Sequence, residues 1–376
     1  MCSHCATIGA ATASAGAATE TINSKDLNAE QFAERLVNTL NEASIALMLS
    51  IGHRTGLFDV MARLKPATSR QIADQAGLNE RYVREWLGAM TTARIVNYHP
   101  AEQTYHLPAQ HAAFLTRDAV PENMAGFCQW IAVLGGVEDQ VVEAFRHGRG
   151  VPYDAYRRFH EVMAEESAQT VVAGLDEYVI PLVEGLREQL ESGIDVLDIG
   201  CGSGRAMNHL AERYPQSRFI GYDISEQAIA AARKQSVDRG LNNTRFEPCD
   251  VSEMTGTDAF DLICAFDAIH DQAKPAQVLV NIRRALRNGG VLLMQDIAAS
   301  SHVHENMDHP VAPMLYTISC MHCMSVSLAN GGPGLGAVWG RQKALEMLDE
   351  AGFDNVRVEQ LDHDFQNFYY IATKAS

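Results

Sequence analysis

The sequence predicts an α/β protein: a Rossmann-like, doubly wound seven-stranded sheet, preceded by an α-helical winged-helix domain. Three observations predict it. Short apolar runs alternate with helical periodicity after Gly193, which is the pattern of a parallel sheet with crossover helices. A glycine-rich turn, DIGCGSG, directly follows the first of those runs. Upstream, two capped helices followed by a hairpin-like segment have the order of a winged helix.

Size and charge set the outer limits. A chain of 376 residues with 47% hydrophobic residues fills more than one core, so two domains are expected. No run of 18 apolar residues occurs, which argues against a membrane-spanning helix. The formal charge of −17 opposes nucleic acid and anionic membranes as partners. Residues 1–27 are small and polar, with no basic start or apolar run of a secretory signal, and read as a flexible tail. Eight cysteines in so long a chain then predict reduced thiols and a cytoplasmic location.

The first domain is assigned to 28–117. Its opening stretch from Asn28 is amphipathic. In ATSRQIADQAGLNERYVREWLGAM, Ser69 is the expected cap of one helix, Gly77 its end and Asn79 the cap of the next. QTYHLPAQHAAFL supplies the wing. Residues 28–116 hold eight Lys or Arg and eight Asp or Glu, so this winged helix lacks the positive charge of a DNA reader. Burying its apolar face in a homodimer is the preferred reading. A helical linker, 118–165, leads to the second domain, 166–376.

In that domain the strands are read at 195–200, 218–223, 244–250, 261–270 and 290–297, with FDNVRVEQL and FYYIATK as an antiparallel pair at one edge. The turn reads Asp198-x-Gly200-x-Gly202-x-Gly204. Glycines let the backbone bend and approach a ligand at the next helix's N-terminus. The spacing is not the pyrophosphate fingerprint of nicotinamide cofactors, and Asp198 suits a cation better than a phosphate. Asp223, ending the second strand, is placed to bind ribose hydroxyls. Gly204 also fits plain helix packing, and Asp250 a plain cap for Ser252-Glu253-Met254.

These residues resemble the class I S-adenosylmethionine-dependent methyltransferases, in VLDIGCGSG, IGYDIS, PCDV, FDLICAFDAIHD and LRNGGVLLMQDI over 160–376. The resemblance implies S-adenosyl-L-methionine as cofactor. Gly200 and Gly202 would approach its methionine part, Asp223 its ribose and Asp250 its adenine amino group, while Phe266 and Asp267 close the site. Asp198, Cys201, Gly204, Ile224, Cys249 and Val251 fall in the same motif windows. With the winged helix in front, the chain is similar to small-molecule O-methyltransferases and to bacterial winged-helix methyltransferases without an assigned acceptor. In the former, a His-Asp pair after the fourth strand carries the general base. Here that pair is His270 and Asp271, and the usual following Trp is Gln272. A histidine titrating near neutrality suits proton removal from a hydroxyl.

The segment YTISCMHCMSVSLANGGPGLGAVWG, 316–340, admits four roles. Cys320, His322 and Cys323 could form a zinc half-site with His302, His304 or His309, or with the second Cys-x-His-Cys at Cys2 and Cys5. They could be a redox pair, although Cys320 falls mid-helix. They could hold a metalloid acceptor. The preferred role is an acceptor-pocket wall in which Tyr316, Cys320, Cys323 and Met324 share a helical face, followed by a glycine lid, with His309 and His322 as polar contacts. No metal is expected. The functional expectation is methyl transfer to a small organic acceptor; a ligand-sensing transcriptional regulator and a thiol-assisted metalloid methyltransferase are the alternatives.

Overall fold

The computed structural model describes residues 27–375. The expected tail and the Cys2–Cys5 echo lie outside the described residues.

Helix α1 (Ala29–Thr55), α2 (Leu57–Arg63), α3 (Ser69–Ala76) and α4 (Glu80–Thr92) precede a two-stranded wing, β1 (Asn97–His99) and β2 (Thr104–His106), paired antiparallel. Gly77 ends α3 in the left-handed region and Asn79 caps α4 by accepting from the Arg81 N–H. The cap of α3 is Thr68, not Ser69. Thr68 and Gln71 form a reciprocal capping box, and the Ser69 hydroxyl is spent on Glu80 at 2.7 Å. A threonine with Gln three residues on satisfies two orphan donors at once, which a serine one position later cannot. The core of this unit gathers Phe58, Ile72, Trp86, Leu87 and Met90, with the Trp86 indole donating to Met48 O at 2.9 Å. On α4, Arg81 pairs with Glu85 and Arg84 with Glu80, so its arginines are met by carboxylates of their own helix.

The run from Val151 to Val172 is not one continuous helix. A 3₁₀ turn at Tyr153–Ala155 comes first, and the α-helix begins at Phe159 and runs to Thr170.

The sheet has seven strands: β3 (Asp195–Ile199), β4 (Arg218–Asp223), β5 (Thr244–Pro248), β6 (Phe260–Phe266), β7 (Leu286–Ile297), β8 (Arg357–Leu361) and β9 (Asp364–Thr373). Their order is β5-β4-β3-β6-β7-β9-β8. The first five run parallel, and β9 is antiparallel to both β7 and β8. Helices cover both faces. One face buries Leu175, Leu190, Met207 and Phe219; the other buries Ile263, Val278, Ile282 and Phe353. Two strands stop earlier than expected. β5 ends at Pro248, so Asp250 lies beyond it and caps the turn Val251–Glu253 through the Ser252 N–H. β6 ends at Phe266, and Asp267 takes a positive φ of 52°, a strained conformation for a residue with a Cβ.

The glycines of the β3 turn differ in what fixes them. Gly204 has φ 68°, and a Cβ there would stand 2.6 Å from the Phe246 ring and 2.8 Å from Ala232, so it sets how closely helix Arg205–Arg213 approaches β5. Gly202 has φ 52° and nothing within 4 Å of its Cβ direction. Gly204→Ala is therefore expected to lower stability by about 2–4 kcal/mol, overpacking adding to backbone strain. Gly202→Ala meets only the strain and costs about 1 kcal/mol. Urea unfolding of the two variants checks the contrast; equal losses would refute it.

Candidate active site

All five parallel strands point their carboxyl ends to one edge of the sheet, and each brings an aspartate there: Asp198, Asp223, Asp250, Asp267 and Asp296. This is where an open α/β sheet binds ligands. A cleft lies at this edge, lined by Asp198, Gly200, Cys201, Gly202, Phe266 and Asp267 from the sheet side and by His160, Glu166 and Thr170 from helix Phe159–Thr170.

The electrostatics of the cleft are acidic. Asp198 is 3% exposed, its Oδ1 has no hydrogen-bond partner, and burial followed by the Asp223 charge pushes its carboxyl well above the usual range. Asp267 accepts from Gln295 Nε2 at 3.0 Å through Oδ2, while Oδ1 is unpartnered. Asp223 accepts from the Gly202 N–H at 2.9 Å and the Ser225 N–H at 2.8 Å, leaving lone pairs for further donors. Ile224, just beyond it, is 68% exposed, an apolar side chain left bare beside the cleft. A buried acceptor without a partner is costly; two such carboxyl oxygens facing one cleft fit a ligand that brings positive charge and N–H donors.

Two residues that sequence reasoning missed join this site. Arg205 follows the glycine turn and lines the cleft with its Nε buried and unpartnered, which suits a ligand carboxylate. Glu166 faces the cleft from outside the sheet. The Trp130 indole donates to it at 2.6 Å, and burial pushes its carboxyl up to about 7. Arg205 could have been noted from its place after the turn; Glu166 belongs to no motif.

Next to the cleft is a buried polar assembly around His270. The ring is 4% exposed. Its Nδ1 lies 2.9 Å from Asp296 Oδ1, and the Trp339 indole donates to the same oxygen at 3.0 Å. The Cys323 thiol is also buried close to this ring. Burial is the strongest single influence and pulls the imidazole down, but the Asp296 carboxylate, with Cys323 adding to it, more than offsets this and holds the ring well above the usual histidine range. The His270 hydrogen bond thus goes to Asp296, which the motif reading did not single out. Asp271 is close enough for its charge to be felt by His270, and burial pushes its carboxyl up to about 6.

Of the residues expected on the acceptor side, Cys323 and His322 come together here. Both are buried. His322 stacks on Phe159 at 4.1 Å between Tyr153 and Tyr156, and burial lowers it to about 3, so it is neutral. His309 and Tyr316 are placed elsewhere: the His309 Nδ1 accepts from the Val311 N–H, and the Tyr316 hydroxyl accepts from Asn306. The helix expected through Cys320 is continuous but widens into a π turn over Ser319–Cys323. That extra residue per turn alters the shared face and turns His322 and Cys323 inward while Tyr316 stays half-exposed. The glycine segment 331–336 lies against this helix rather than standing open as a lid. Ser327 O accepts from the Gly332 N–H, and Ser327 Oγ from the Gly334 N–H. Among the described residues, no group of three or more His, Cys, Asp or Glu side chains is arranged to hold a metal ion.

Comparison with known proteins agrees with this geometry. Residues 43–117 match an Rv2258c-like winged HTH domain and residues 190–352 a methyltransferase domain. The trans-aconitate 2-methyltransferase of Acidovorax sp. (strain JS42) is 30% identical over 159 residues, 42% of this chain and 54% of that protein. The chain thus spans about half the length of the curated relatives it matches. Methyltransferase ungE' of Aspergillus campestris is 25% identical over 69% of this chain and 75% of its own. Among solved structures, a putative O-methyltransferase from Nostoc punctiforme superimposes with a TM-score of 0.69 at 18% identity, covering 91% of this chain and 98% of that one. Human N-acetylserotonin methyltransferase in complex with SAM gives 0.66 at 16% identity, covering 94% and 100%. The chain thus joins a match to a winged helix-turn-helix domain with a match to a methyltransferase domain, and shares its fold with solved methyltransferases.

Proposed function

We propose that this protein transfers a methyl group from S-adenosylmethionine to a small organic acceptor, with His270 taking the acceptor's proton. The observation that carries the reading is the buried Asp296–His270 pair beside a cleft whose unpartnered carboxyl oxygens call for a cation. When bound, S-adenosylmethionine supplies a methyl group activated by the positive charge on its sulfur.

The chain's own residues do the rest. Gly200, Cys201 and Gly202 give the backbone close approach, and Asp223 uses its remaining lone pairs on ribose hydroxyls. Asp198 and Asp267 face the cationic end from the sheet with Glu166 opposite, and Arg205 takes the carboxylate. Cys249, Asp250, Val251 and the exposed Ile224 border the adenine side. Asp296 accepts the Nδ1–H of His270, which fixes the tautomer whose Nε2 accepts a proton. The Cys323 thiol lies close to the same ring. Tyr153, Tyr156, Phe159 and His322 make an aromatic wall for the acceptor's apolar body. Holding two reactants in line is worth much of the acceleration in such a transfer.

Assembly as a homodimer through the winged-helix domain belongs to the same proposal. Helix α1 exposes Phe32, Leu36, Val37, Leu47 and Ile51 to solvent, an apolar series of the kind that marks an interaction surface.

Four outcomes are expected. Calorimetry detects binding of S-adenosylhomocysteine to the wild type, weakened at least tenfold in Asp223→Ala; no binding to the wild type would end the cofactor reading. In acceptor screening with labelled cofactor, His270→Ala lowers turnover by about 10²–10⁴-fold, the usual worth of a positioned base; full turnover would remove His270 from the mechanism. Because the neutral ring is the active form and Asp296 holds its pKa up, wild-type rates fall as pH drops through a value above the ordinary 6.5. Asp296→Asn removes that support, so the acid limb moves to lower pH while the plateau rate falls; an unmoved limb would contradict the pairing. Sedimentation reports the last outcome, a wild-type dimer that Leu36→Glu converts to monomer; an unchanged state would exclude α1 from the interface.

A further inference from the structure

Three carboxyl groups from three separate elements open on one cleft: Asp198 at the end of β3, Asp267 beyond β6 and Glu166 on helix Phe159–Thr170. Two of them, Asp198 and Asp267, each leave a buried oxygen with no partner, and Asp198 is almost wholly buried. The charges around them do not neutralise this set. Asp223 faces Asp198. Asp296, Glu166 and Asp364 face Asp267, with only the His270 ring on the favourable side. In the cleft wall the basic groups are Arg205 and His160; Arg205 feels Glu165, and His160 faces Asp223. Like charges crowded out of water cannot all ionise together, and they titrate as a unit.

We propose that cofactor binding to this cleft expels protons, and that the carboxyls of Asp198, Asp267 and Glu166 thereby tell the sulfonium cofactor from its neutral thioether product. The inference rests on the cofactor reading above. S-adenosylmethionine carries a sulfonium and an ammonium; S-adenosylhomocysteine carries the ammonium alone. In the absence of a cationic ligand the set retains at least one shared proton. A ligand with two positive charges drives that carboxyl to ionise and the proton passes to the buffer. A ligand with one positive charge drives it less far. Glu166 is the member best placed to release the proton near neutrality, since burial has already moved its carboxyl up to about 7 and only the Trp130 N–H opposes that. After methyl transfer the sulfur is neutral, so the set takes a proton back and its hold on the product weakens. The cleft's acidity would thus favour exchange of product for fresh cofactor.

Linkage fixes the sign. A proton released on binding makes affinity rise with pH below the free group's pKa and level off above it, by up to about tenfold per pH unit for each proton. The test is titration calorimetry of the full chain with S-adenosylmethionine and with S-adenosylhomocysteine, each in phosphate and in Tris, from pH 5.5 to 8. The buffer dependence of the heat counts protons without any turnover. The proposal expects more protons released by S-adenosylmethionine than by S-adenosylhomocysteine, with affinity for the former rising steeply up to about pH 7 and that for the latter rising less. In Glu166→Gln, which keeps an acceptor for Trp130, the proton count and the slope for S-adenosylmethionine both fall. Equal counts for the two ligands in the wild type would overturn the proposal, as would a Glu166→Gln profile matching the wild type. In either case the cofactor reading stands. Absence of binding by both ligands would overturn that reading and this inference with it.

Discussion

The arrangement of this molecule depends on one constraint: five parallel strands that each end in an aspartate at the same edge of the sheet. Parallel pairing leaves no freedom to scatter those groups, because every strand runs the same way. Each acid therefore needs its own means of tolerating its neighbours. Asp223 is held by backbone N–H donors from the glycine turn and from the start of the next helix. Asp250 is spent on a helix cap. Asp296 is met by an imidazole and an indole. Asp198 and Asp267, in the cleft lining, are left with open oxygens, and the proposed cofactor site rests on that residual demand for positive charge.

The helical parts of the chain serve this edge. The linker helix brings Glu166 over the cleft and holds it with Trp130. On its other side Glu165 receives the His53 ring at 2.9 Å and Gln129 Nε2 at 2.6 Å, tying the cleft wall to the end of α1. The π turn at Ser319–Cys323 rotates His322 into an aromatic set and buries Cys323 close to His270. Hydrogen-bonded, water-poor surroundings of this kind strengthen each polar contact, which is how a single buried carboxylate can govern the protonation of His270.

Much of this was legible in the sequence. Alternation of strand and helix periods predicted the sheet and its antiparallel edge, and the glycine turn placed Asp198 and Asp223 at the carboxyl ends of the first two sheet strands, where the structure has them, because those signals are local. What escaped depends on distance along the chain. Asp296 lies 26 residues beyond His270, yet the parallel register sets Phe266 against Gln295, so the residues that follow on the two strands meet; a reader pairing β6 with β7 could have found it. Glu166 carries no motif, and only the fold turns it to the cleft. Helical spacing placed Tyr316 with Cys323, but a π turn between them breaks the 3.6-residue period on which that inference rested. The glycines at 331–336 read as a hinge by composition, whereas in the fold they let a loop lie against the helix at Ser327.

The central claim is that the acidic edge is a cofactor site organised by the Asp223 carboxylate. A crystal structure of the protein with S-adenosylhomocysteine tests it most directly. Ribose hydroxyls are expected within hydrogen-bond distance of Asp223, Ile224 over the nucleoside, and the amino-acid end between Asp198, Glu166 and Arg205. A nucleoside bound away from the 200–204 turn, with Asp223 still held only by the Gly202 and Ser225 N–H groups, would contradict it.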